Sequence, residues 1–120
     1  MEPKAALDEL TELSSQIEAA AILDDEAGVA ASTFADSTRA ERFADVVRKL
    51  LHAAEEVAGR APARLRAATS GGSVFVVREG GRTIAATTGR SPTVGLVLYD
   101  LRTCLRSLEG DVVEEARAAG

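Results

Sequence analysis

One cysteine, one histidine, one methionine, three phenylalanines, one tyrosine and no tryptophan leave this 120-residue chain poor in reactive and aromatic side chains. A lone cysteine closes no internal disulfide, and one cysteine with one histidine cannot build a zinc cage. Chemistry that needs a histidine base has His52 alone to draw on. No apolar run approaches the roughly 18 residues of a membrane span. The opening MEPKAALDEL lacks the basic, apolar segment of a secretion signal, so a cytoplasmic protein with no membrane insertion is expected. The glycine pairs Gly71-Gly72 and Gly80-Gly81 lack the Gly-x-x-x-x-Gly-Lys-Ser/Thr spacing whose amides and lysine cradle phosphates. Asp24, Asp25 and Glu26 lack the alternating acids and distal glutamate of a calcium loop, so they read as a solvated turn. No catalytic residue, cofactor or metal is expected.

What is present is ordered by charge. The net charge of −5 divides into −8 over residues 1–36, +6 over residues 37–106 and −3 over residues 107–120. A basic middle can meet nucleic acid or an acidic protein. Its twelve bases are scattered over several elements, and its only aromatics are Phe43, Phe75 and Tyr99, too few for stacking single strands. No nucleic-acid partner is expected. The length suits one domain that buries about two-thirds of its surface. Twenty-three alanines give it a small-sided core in which backbones approach closely.

Residues 5–15 place Ala6, Leu7, Leu10 and Leu13 at helical spacing between acids. Two apolar runs, 17–23 and 29–34, flank an acidic turn that ends in Gly28, which predicts a hairpin with Gly28 at positive φ. The strongest signal covers residues 38–58. Phe43, Val46, Val47, Leu50, Leu51, Ala54, Val57 and Ala58 form one apolar stripe over five turns, opened by a Thr38–Glu41 capping box and closed by Gly59. Three strands then follow over 65–70, 73–78 and 82–88, joined by the two glycine pairs. Ser91 and Pro92 read as the cap and first residue of a last helix carrying Leu98, Leu101, Leu105 and Leu108, although Val94 to Tyr99 also suits a strand. The order helix, two strands, long helix, three strands, helix implies an α+β sandwich, a five-stranded antiparallel sheet covered by helices. Residues 1–108 form the single domain, and 109–120 an acidic tail expected to fray.

Three segments carry a family resemblance. Ala20-Ala21-Ile22-Leu23-Asp24-Asp25-Glu26-Ala27-Gly28-Val29-Ala30-Ala31-Ser32 resembles the first hairpin of the roadblock (dynein light chain roadblock) family. Ala40-Glu41-Arg42-Phe43-Ala44 resembles the start of its long helix, and Val94-Gly95-Leu96-Val97-Leu98-Tyr99-Asp100 the last helix of its actinobacterial members. The resemblance spans about residues 7–108 and decides for a helix after Val94. It implies a roadblock/profilin-like sheet of order 2-1-5-4-3, with the long helix on one face and two shorter helices on the other. It also implies a homodimer in which third strands pair edge to edge and long helices pack together. That places Arg64, Leu65, Arg66, Ala67, Ala68, Val47, Leu51 and Ala54 at the dimer interface. Finally it implies a non-enzymatic adaptor or regulator of a small Ras-like GTPase; the alternative is a structural dimerisation or scaffold module of a kinase or filament assembly.

Individual residues divide between plain and sharper readings. His52 falls opposite the apolar stripe and reads as solvated. Cys104, between Leu101 and Leu105, reads as a small buried hydrophobe. Arg39, Arg42, Arg48 and Lys49 lie off the stripe of the long helix. They read either as a solvated face paired with Glu41, Asp45, Glu55 and Glu56, or as a docking surface for the GTPase.

Overall fold

Alanine is a poor strand former, yet the centre of this protein is an alanine pair of strands, and burial on both faces explains it. In the computed structural model, which describes residues 1–24 and 28–119, strand β1 (Ile17–Asp24) runs antiparallel to β5 (Arg82–Thr88). Ala20 faces Ala86 and Ala21 faces Ala85, all four fully buried. Methyl side chains at the middle of the sheet let helices approach closely on both sides. Of residues 109–119 only the helical backbone is described, so the reading of 109–120 as an acidic tail concerns side chains outside the description, as do Asp25, Glu26 and Ala27 of the first turn.

The remaining elements are α1 (Pro3–Leu13), β2 (Gly28–Ser32), α2 (Ser37–Ala58), β3 (Arg64–Thr69), β4 (Gly72–Glu79) and α3 (Val94–Ala119). The sheet has the order β2-β1-β5-β4-β3 with every pair antiparallel. Helices α1 and α3 cover one face, where Leu7, Leu10, Ile22, Phe75, Ile84, Val97, Leu101 and Leu105 form the larger core. Helix α2 covers the other face through Ala44 and Val47, against Ala21, Leu23, Val76 and Ala85. The fold class and strand order are those expected.

Glycine closes two elements as its conformational freedom requires. Gly28 has φ 84° where β2 begins, and Gly59 has φ 79° where its amide bonds Glu55 and ends α2. Two helix starts differ from the sequence reading. The α2 cap is Asp36, whose carboxylate accepts from the Thr38 amide at 2.8 Å. A carboxylate one residue before the helix satisfies the orphan amide that the Thr38–Glu41 box was expected to serve. Ser91 and Pro92 precede α3, which starts at Val94; Val97 donates to the Thr93 carbonyl, and the Thr93 amide donates to Gln16 Oε1 at 2.5 Å. A side chain from the turn just before β1 thus ties down the start of α3. The backbone of α3 continues to Ala119, which makes it longer than α2 rather than one of two shorter helices.

The α2 stripe is wider than the surface its own sheet covers. Only Ala40, Ala44 and Val47 are buried, whereas Phe43, Leu50, Leu51 and Ala54 are half-buried. Val46 is 47% exposed and Val57 91% exposed.

Candidate functional site

The most distinctive surface lies along α2. Successive residues of an α-helix turn by about 100°, so Val46, Leu50, Ala53 and Val57 align on one flank, roughly a third of a turn from the buried line of Ala40, Ala44 and Val47. The result is an apolar ridge on the outer side of a helix whose inner side is finished. On the same face of the sheet, β3 presents Leu65 and Ala67, paired with Val76 and Val74. Leu65, Ala67 and Val74 are half-buried. Strand β3 itself is the edge of the sheet, with β4 on one side only. An open edge beside an unfinished apolar helix face is a surface suited to another polypeptide.

The structure sorts the expected interface residues. Arg64, Leu65, Arg66, Ala67 and Ala68 lie on the β3 edge. Ala54 is half-buried on α2, and Leu51 is half-buried against its own sheet. Val47 is wholly buried under α2 and offers nothing to a second copy; packing against Ala21, Val76 and Ala85 consumes it. Val46 and Val57, members of the apolar stripe, are the large apolar side chains the helix leaves open. The signal for them was the width of the stripe, more apolar than one sheet face needs.

The four candidate partner-binding residues do not form one cluster. Arg39, Arg42 and Lys49 border the apolar ridge, are exposed, and carry no ion pair or hydrogen bond among the described residues. Arg48 is on the far flank, where Nη1 lies 3.4 Å from Asp45 Oδ1. It lines a cleft of about 210 Å³ with Leu23, Asp24, His52, Arg78 and Thr83. The docking reading therefore fits the first three better than Arg48, which has the helical partner that the solvated reading supplies.

His52 is exposed and meets Glu56 at 3.2 Å. Cys104 is buried between α1 and α3; burial, with a smaller contribution from Glu9, pushes its thiol up to about 11. A thiol held neutral at physiological pH is a poor nucleophile. Among the described residues, no three His, Cys, Asp or Glu side chains group closely enough to hold a metal ion, and no helix is long and apolar enough to cross a membrane. The arrangement of the described residues supplies surface for association.

No family model and no curated protein matches the sequence. Solved structures do match in three dimensions. A Roadblock/LC7 domain from Streptomyces avermitilis superposes with a TM-score of 0.80 at 14% identity, covering 94% of this chain and 99% of that one. Myxococcus xanthus MglB superposes at 0.71 with 14% identity, over 94% of this chain and 89% of that one. An MglB with a tetrameric arrangement superposes at 0.62 with 16% identity, over 93% and 90%. With the sheet order β2-β1-β5-β4-β3, α2 alone on one face and α1 and α3 on the other, the chain has the fold of a Roadblock/LC7 domain.

Proposed function

We propose that the protein is a non-enzymatic homodimeric adaptor that binds a small Ras-like GTPase in a bacterial signalling or polarity system. The observation that carries the dimer is the unburied ridge of α2 beside the open edge of β3. Two copies related by a two-fold axis would pair their β3 strands and set their α2 ridges against each other, an isologous contact. The likeness of fold to MglB, and the sequence resemblance to a family of GTPase regulators, support the partner. Arg39, Arg42 and Lys49, exposed beside the ridge, are the cations of α2 best placed to meet an acidic GTPase surface.

Regulation requires that affinity differ between the GDP and GTP forms, because equal binding to both shifts nothing. The test is titration calorimetry of the dimer against the Ras-like GTPase encoded nearest to it, loaded with GDP or with a non-hydrolysable GTP analogue. The expected result is binding that differs between the two forms. Reversing Arg42 and Lys49 to glutamate should slow association and flatten its dependence on salt, whereas Arg48→Glu, on the other flank, should leave the association rate near that of the unaltered chain. No binding in either nucleotide state by a confirmed dimer would leave the structural dimerisation module as the better reading.

A further inference from the structure

The face of β3 turned toward α3 is uncovered, and it is basic. Arg64, Arg66 and Ala68 face Val77, Phe75 and Ser73 across the β3–β4 ladder, on the side of the sheet where Phe75 and Val77 join the α1–α3 core. Helix α3 packs on β4 and β5 and stops short of covering β3, so all three β3 residues stay exposed. Arg102 and Arg106 project from α3 on the same side, each held by Glu79 of β4, at 3.7 and 3.3 Å. Between α3 and β3 is a cleft of about 300 Å³ lined by Arg64, Val77, Glu79 and Arg102. Among the described side chains, four guanidinium groups stand against one carboxylate.

Three of these arginines, Arg66, Arg102 and Arg106, are held rather than loose. The Arg66 guanidinium lies over the Phe75 ring, 5.6 Å from its centroid, and its Nε donates to Ser73 Oγ at 3.3 Å. Glu79 braces the two α3 arginines together. Fixing a long side chain in advance removes part of the ordering cost that a surface arginine otherwise brings to binding. Its planar fork then suits a carboxylate, which it can meet with two parallel hydrogen bonds.

Dimerisation through β3 sets the width of this surface; the inference rests on that reading of the edge. With β3 strands paired, two α3 helices, each seated over β4 and β5, would stand about four strand spacings apart, or about 19 Å. Helices pack at about 8–10 Å between axes. The trough between the two α3 helices therefore has room for one further helix, with arginines on its floor and on both walls.

The geometry points to an acidic amphipathic helix of a partner protein, docked lengthwise in this trough, as a second binding function distinct from the α2 ridge. Charge complementarity and the one-helix width select this occupant. Extended nucleic acid is disfavoured by Glu79 between the wall arginines and by the lack of an exposed aromatic platform on β3.

The probe is a stapled glutamate–alanine helix of about five turns with its glutamates on one face, followed by fluorescence anisotropy, with sedimentation velocity run on the same samples. A scrambled version, a single-stranded RNA oligonucleotide and phosphatidylserine vesicles serve as competitors. The expected result is one helix bound per dimer, with the scramble weaker. Arg102→Glu combined with Arg106→Glu should weaken binding about tenfold, and Arg66→Glu should weaken it as a second, independent variant, with the dimer preserved in each sample scored. A confirmed dimer that ignores the peptide, binds two copies, binds the scramble equally well, prefers RNA or vesicles, or is insensitive to these substitutions overturns the trough alone. A monomer in sedimentation overturns the dimer reading and the trough with it.

Discussion

The two faces of the sheet are built to different standards. On the α1–α3 side the core beneath the helices is large-sided and closed, although Leu13, Leu96 and Tyr99 are exposed on α1 and α3: Leu7, Ile22, Phe75, Ile84, Val97, Leu101, Leu105 and Leu108 are all within 1% of complete burial. On the α2 side the fully enclosed residues are small, with Ala21, Ala44, Val47 and Ala85 at its centre. Of its larger residues, Leu23 and Val76 are buried, while Phe43, Leu51, Leu65 and Val74 remain half-buried. Hydrophobic stabilisation scales with apolar area removed from water, so the first face supplies most of what holds the single chain together. The second face keeps apolar area in reserve. A fold that finishes one face alone and leaves the other partly open separates the work of folding from the work of association.

The comparison breaks most readily at Phe75. Truncating it on the closed face should cost about 3–5 kcal/mol, since the transfer free energy is lost and the cavity has no slack to collapse into. Leu51→Ala, on the half-open face, should cost about 1 kcal/mol, within the ordinary range for a partly solvated site. Urea unfolding of both variants, at a concentration where the chain's association state is held fixed, checks this. Equal costs would mean that the two faces are packed alike.

Next in size is the hairpin between β3 and β4. A Cβ on Gly72 would collide with the Thr88 carbonyl oxygen, a backbone atom in the ladder that cannot swing aside. Gly72→Ala should cost about 1–3 kcal/mol by forcing the strands apart. Gly71→Ala, whose Cβ would meet nothing nearer than Thr69 Oγ1 at 4.0 Å, should be tolerated. Thermal unfolding of the pair separates a close approach from a simple need for flexibility.

A smaller effect should come from Cys104, on the closed face. Its folded pKa is raised, so the folded state disfavours the thiolate. Stability is complete below about pH 9, the ordinary value for the thiol, and falls as pH rises through about 11. The loss is on the order of 1–2 kcal/mol. Cys104→Ala should flatten that part of the stability curve relative to the parent, and alkylation of the parent at pH 8 should be slow while the chain is folded.

Element order, the apolar faces, Gly28 at positive φ and the Gly59 stop were legible because each depends on residues adjacent in the chain. The strand order came from the family resemblance, since pairing of β1 with β5 joins segments about 60 residues apart and local periodicity carries no record of it. The caps were misassigned because Asp36 and Thr38 are both good capping residues and only backbone geometry chooses between them. The candidate site was half legible. Periodicity identifies the apolar stripe of α2, but it cannot state which part of a stripe the protein's own sheet covers; hence Val47 and Val57 stand in one stripe although the sheet buries the first and leaves the second exposed. Helical spacing likewise grouped four cations that the helix divides between two flanks.

The smallest expected change in the isolated chain is also the sharpest test of the unfinished face. Val46 and Val57 are 47% and 91% exposed, so replacing both with serine removes little apolar area that folding has buried. The stability of the single chain should move by no more than about 0.5 kcal/mol, as for surface substitutions generally. If the ridge is buried between two copies, the same change removes apolar contact on both sides of a two-fold interface. Full burial of a valine contributes about 1.5–3 kcal/mol, so the dissociation constant of a homodimer should rise at least about a hundredfold. Sedimentation across a dilution series reads association, and urea unfolding under dissociated conditions reads the chain. A serine pair that shifts association while leaving the chain's own stability in place shows that α2 holds its apolar ridge for a partner. A pair that destabilises the chain and leaves association untouched would place those valines in the folding of the single chain and return α2 to the same standing as the closed face.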